Sequence, residues 1–79
     1  MPRFFFHLYD SVTSTDEEGQ AFRNAEAARM NAVCAARALI AAQVMESGEI
    51  NLGHRIEVED ERGAIVAVLR FADVTTLRP

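Results

Sequence analysis

Ala25-Glu26-Ala27-Ala28-Arg29-Met30-Asn31-Ala32-Val33-Cys34-Ala35-Ala36-Arg37-Ala38-Leu39-Ile40-Ala41-Ala42-Gln43-Val44-Met45-Glu46-Ser47 is the stretch that decides the fold. Rich in alanine and free of proline and glycine, it reads as one helix. Asn24 is placed to cap its start, Glu26 sits near the positive end of the helix dipole, and Gly48 supplies the stop. At about 1.5 Å per residue the segment is roughly 34 Å long, longer than a strand of about eight residues, so its last turns are expected to overhang any sheet it covers. At 100° per residue, Ala28, Ala32, Ala35, Ala36, Leu39 and Ile40 share one side, and their small size permits close approach to a sheet.

The opposite side is unusual. Between Ala32 and Ala42 the only charged residue is Arg37. Met30, Cys34, Ala38, Ala41 and Met45 form a narrow apolar seam flanked by Arg37 and Asn31. A surface helix on a small domain ordinarily shows one apolar stripe and one wet face. Alanine is a good helix former and scattered exposed apolar residues need no explanation. Two methionines and a thiol at these spacings nevertheless suit a contact surface. The expectation is a self-association interface built from Met30, Cys34, Arg37, Ala38, Ala41 and Met45.

Outward from the helix, the remaining chain reads as strands. Arg3–Asp10 alternates with Phe4, Phe6 and Leu8 on one face and Phe5, His7 and Tyr9 on the other. Thr15-Asp16-Glu17-Glu18-Gly19 is a turn signal, and Val12 with Ala21 and Phe22 suggests a short hairpin around it. Beyond the helix, residues 55–60 place Ile56 and Val58 inward, and Asp60-Glu61-Arg62-Gly63 forms a hairpin turn. The return strand, residues 64–71, sets Ile65, Ala67, Leu69 and Phe71 on one face and Val66, Val68 and Arg70 on the other. The expected fold is a single α+β domain over residues 1–79. Its three-stranded antiparallel sheet, plus a short hairpin within residues 11–22, is covered on one face by the helix in the order β-(loop or hairpin)-α-β-β. The first strand is expected beside the last, giving order 2-3-1 for the long strands.

Composition narrows the function classes. A chain of 79 residues supplies one small domain with thin stability, and such scaffolds usually need a disulfide, a metal, an oligomer interface or very good helix packing. One cysteine cannot form an internal disulfide, which fits a reducing, cytoplasmic setting. The formal net charge of −4 and the absence of lysine argue against nucleic acid as partner. The apolar run Phe4–Phe6 is too short for a secretion signal, and the helix is too interrupted for a membrane span.

No catalytic constellation stands out. A reactive thiolate needs a cation or a helix N-terminus beside it; Arg37 at i+3 helps the mid-helix Cys34 only slightly, so a structural or interface thiol is expected. His7 and His54 are far apart in sequence and give no zinc spacing, so no cofactor or metal ligand is assigned. The outer sheet face, with Phe5, His7, Tyr9, Val66, Val68 and Arg70 beside Arg55, Glu57 and Glu59, is an aromatic and apolar patch better suited to protein than to single-stranded bases.

The opening Met1-Pro2-Arg3-Phe4-Phe5-Phe6-His7-Leu8 is similar to an uncharacterised family of small bacterial proteins that begin M-P-R-(Y or F)-F-F-H. The likeness continues through Asp16-Glu17-Glu18-Gly19, Glu26-Ala27-Ala28-Arg29, Ile56-Glu57-Val58 and Phe71-Ala72-Asp73. The resemblance implies one small α+β module of unknown function and no activity. Members tend to carry charge where this chain has Cys34 and Ala38. The layout is also similar, as an analogy of fold alone, to antitoxin-type modules. The expectation is therefore a non-enzymatic protein-interaction module forming a homodimer or binding another protein. The rival expectations are a small-ligand or metal-dependent enzyme using His7 and His54, and a nucleic-acid-binding regulator.

Overall fold

The computed structural model describes all of residues 1–79. The elements run β1 (Arg3–Tyr9), β2 (Thr13–Ser14), β3 (Gln20–Ala21), α1 (Ala25–Ser47), β4 (Arg55–Glu59) and β5 (Ile65–Arg70). The chain is α+β, with one helix on an open antiparallel sheet of five strands.

The helix ends follow from its caps. Asn24 Oδ1 accepts from Ala27 N at 2.8 Å, satisfying a first-turn amide. Gly48, at φ +74°, adopts the left-handed conformation and donates its N–H to the Val44 carbonyl. Asn24→Ala is expected to cost about 1 kcal/mol, read from chemical denaturation. Burial along α1 ends at Ile40; Val44 and Met45 stand exposed past the sheet, the overhang that the helix length implies.

The sheet order is β2-β1-β4-β5, with β3 also on β1. The long strands therefore lie in sequence order, not 2-3-1, and β4 is central. The outer face of β4 carries Arg55, Glu57 and Glu59, and β1 supplies their partners. His7 lies opposite Glu57 and bonds Glu59, and Tyr9 lies opposite Arg55 and takes its guanidinium on the ring face. Cross-strand matching of this kind fixes neighbours.

The expected hairpin within residues 11–22 is also replaced. β2 and β3 pair with β1, at Leu8–Ser14 and Tyr9–Thr13 and at Arg3–Ala21 and Phe4–Gln20, rather than with each other. Asp16 turns inward between them and accepts Phe6 N at 3.1 Å, holding both arms on β1.

The core comprises Phe4, Ala28, Ala32, Val33, Ala36, Ile40, Ile56, Val58, Leu69, Phe71 and Val74, with Phe6, Leu8 and Phe22 packed against it. Phe22 tilts onto Phe4 and meets Phe6 edge-on, with ring centres 6.4 and 5.7 Å apart. Ile65, expected inward, is 48% exposed. The register slips between Val58 and Glu59: Val58 faces Ala67 but Glu59 faces Ile65, so Val66 is an extra residue and Ile65 is carried to the Glu59 side. Val74, in the aperiodic tail, is buried and anchored by Arg37 Nε donating to its carbonyl at 3.0 Å. No helix is long and apolar enough to cross a membrane.

Candidate functional site

Two surfaces collect the residues singled out by the sequence. The first is the outer sheet face. The register sets three rows across it: Phe5–Glu59–Ile65, His7–Glu57–Val68 and Tyr9–Arg55–Arg70. Because β4 is central, its charges separate the β1 aromatics from the apolar residues of β5. The expected patch is thus split by a polar stripe, with Ile65 in the row where alternation places Val66. Val66 instead lines a groove with Phe4 and Ala25.

Within this face His7 is 9% exposed, and both its ring nitrogens are engaged. Asp16 N donates to Nδ1 at 3.1 Å, which leaves Nε2 to carry the proton and donate to Glu59 Oε1 at 2.8 Å. Arg55 Nε donates to Glu57 Oε2 at 2.8 Å, with its Cζ 4.2 Å from the Tyr9 ring centre. Glu57 and Glu59 are thus each bonded through one carboxylate oxygen to a neighbour on the same face.

Asp16 organises the loop that shields His7. Burial opposes its ionised form, but N–H donation from Gly19, Phe6 and Glu18, with His7 nearby, holds its carboxyl below the ordinary 3.8. A lowered folded-state value stabilises the fold fully above the unfolded value, and that contribution disappears as pH falls through the folded value. Asp16→Asn is therefore expected to lose about 2 kcal/mol near neutrality and to narrow its gap to the unmodified chain below about pH 4, checked by urea titrations across acid pH.

His7 and His54 are not brought together. His54 lies on the helix side, edge-on to Phe71 at 5.6 Å, with its Nδ1 3.4 Å from Gln43 Nε2. The Gln43 Oε1 is buried without a partner beside a small cavity of about 220 Å³. No three His, Cys, Asp or Glu side chains converge closely enough to hold a metal ion. The acidic groups Asp16, Glu17, Glu59, Asp60 and Glu61 line one shallow bowl with Phe5. Four of these five carboxylates serve the fold: Asp16 closes its turn, Glu59 bonds His7, Glu61 accepts from Arg3 N, and Asp60 accepts from Arg62 N and Ala64 N.

The second surface is a groove of about 550 Å³ between α1 and β5. Met30, Val33 and Arg37 form its helix wall, and Val66, Val68 and Leu69 its sheet wall. The helix seam therefore divides. Met30, 47% exposed, and Arg37 overlook the groove, whereas Cys34, Ala38, Ala41 and Met45 stand bare on the outer helix, Met45 at 87%. Sequence reasoning paired the seam residues with one another and missed the β5 flank. Val33 falls between the two helix faces, and only the bulge at Val66 turns that side chain into the groove.

No curated protein matches the chain significantly, and no solved structure does. The family described as Domain of unknown function (DUF6894) matches over residues 3–72, from β1 to just past β5. The chain belongs to that family.

Proposed function

We propose that this domain is a non-enzymatic, self-associating protein-interaction module. The observation that carries the reading is the groove between α1 and β5, where Met30 and Val66 stand half-exposed and Val68 borders them at the strand edge, its side chain on the outer sheet face. A domain of this size buries only about 60% of its unfolded surface, so the exposed Met30 and Val66, set among Arg29, Arg37 and Asp73 and flanked by a bare helix back, give association apolar area to bury. The outer sheet face offers no comparable surface, because its polar stripe is internally paired.

Sedimentation over a wide micromolar range tests the reading. A concentration-dependent rise from monomer to dimer is expected; a monomer at every concentration would refute it. Met30→Glu places a carboxylate in the groove and is expected to weaken dimerisation at least about tenfold, equivalent to about 1.4 kcal/mol. Met45→Glu separates the two surfaces. It is expected to leave the dimer intact if the groove is the contact, and to dissociate it if the helix seam through Cys34, Ala41 and Met45 is.

A further inference from the structure

We infer that the β5 edge takes a second copy of this chain, through antiparallel pairing of β5 with the same strand of its partner about a two-fold axis near Val68. This rests on the self-association proposed above and names the surface that performs it.

The ladder shows which backbone groups are free. Phe71 N donates to the His54 carbonyl at 2.8 Å, Leu69 lies opposite Ile56, and Ala67 lies opposite Val58. Hydrogen-bonded positions alternate along an antiparallel strand, so Ala67 and Leu69 spend their groups on β4, as Phe71 spends its N–H on His54. Val68 therefore directs both its N–H and its carbonyl at the open edge and Arg70 its N–H, the Arg70 carbonyl already accepting from Asp73 N at 2.9 Å. The other edge of the sheet is closed. β2 covers Leu8 and Tyr9, β3 covers Arg3 and Phe4, and the Asp16 carboxylate takes the Phe6 N–H between them. One edge is sealed residue by residue, whereas the other is bare and apolar, with Val68 41% exposed.

Geometry selects a second copy over an unrelated strand. A two-fold contact is self-complementary: Val68 meets its counterpart and Arg70 meets position 66 of the partner. Paired strands lie about 4.8 Å apart. α1 packs mainly over β4 and β5, so the two helices would flank the axis at roughly 10 Å, the spacing of packed helices. A single pairing then covers both strand edge and groove, with Met30 and Val33 between the helices. An isolated extended peptide would satisfy the edge and leave the helix wall wet.

Charge agrees with this arrangement. α1 and β5 run in the same direction, with Ala25 near Val66 at one end and Arg37 near Val74 at the other. A two-fold axis across the middle brings the Glu26–Arg29 end of one copy to the Arg37–Asp73 end of the other. Each end holds one cation and one anion, Glu26 and Arg29 being already bonded to each other, so neither side of the axis brings an excess of like charge together.

Residue-resolved amide exchange on the unmodified protein tests the pairing directly. On going from dilute to concentrated solution, the Val68 and Arg70 amides are expected to slow at least about tenfold, while exposed loop amides such as Glu17 do not. Val68→Pro removes an outward N–H that β4 does not use and is expected to give a folded monomer. Val68→Lys blocks the edge by charge and serves should the proline variant misfold. A dimer whose Val68 and Arg70 amides stay fast, or a folded Val68→Pro or Val68→Lys variant that still dimerises, overturns the strand pairing and leaves self-association standing. A monomer at all concentrations overturns both.

Discussion

Phe71→Ala is expected to lose about 3–5 kcal/mol of folding stability, against a total of only about 4–12 kcal/mol for a chain this size. Phe71 follows β5, is 1% exposed, and is one of the two largest fully buried side chains. Its ring meets His54 edge-on, and its N–H closes the last rung of the β4–β5 ladder. The cavity opened by alanine would lie beneath α1, among Leu8, Leu39 and Gln43, beside a space that already exists. Denaturant unfolding followed by circular dichroism measures the loss. A cost under about 1 kcal/mol would mean that Phe71 is not where the core is held.

The second large effect is a contrast between two glycines. Gly19 and Gly48 both have positive φ, +70° and +74°. At Gly48 an added Cβ meets nothing within 4 Å. At Gly19 it would come within 2.7 Å of the Phe4 carbonyl oxygen and 3.0 Å of the Arg3 and Phe5 side chains. Left-handed backbone costs a non-glycine residue about 1–2 kcal/mol, and crowding in a packed site adds about 1–3. Gly48→Ala should therefore cost about 1 kcal/mol and Gly19→Ala about 3 kcal/mol. The difference arises because Gly19 passes over β1, where the Asp16 loop crosses the strand. Arg3 also donates to the Glu18 and Gly19 carbonyls there, so the same substitution loosens β3. Equal costs at the two positions would show that the loop does not press on β1.

The helix and its ends were legible because local chemistry decides them: Asn24, Gly48 and an alanine-rich interior act within a few residues. Strand alternation correctly placed Phe4, Ile56, Val58, Leu69 and Phe71 inside. Legibility ended where one residue depends on a distant one. Alternation cannot register the extra residue at Val66, so Ile65 was assigned to the wrong face. Strand order depended on whether β1 matches the charges of β4 or the valines of β5, and only pairing His7 with Glu59 and Tyr9 with Arg55 decides it. The inward turn of Asp16 looks in sequence like any solvated turn acid. Val74 has no periodic signal, since Arg37 fixes it from 37 residues away. The candidate surface suffered most. The helix seam was visible as a run of small and sulfur-bearing residues, but the groove that uses Met30 and Arg37 exists only once β5 is placed at the open edge.

Small-angle X-ray scattering of the unmodified chain across a concentration series tests self-association most directly. One copy has a Cα radius of gyration of 12.9 Å and a mass of 8.8 kDa. With rising concentration the forward-scattering mass is expected to approach twice that of one chain, and the radius to grow well beyond the single-copy value. A mass and radius that stay at the single-copy values throughout would contradict the reading of this domain as a self-associating module.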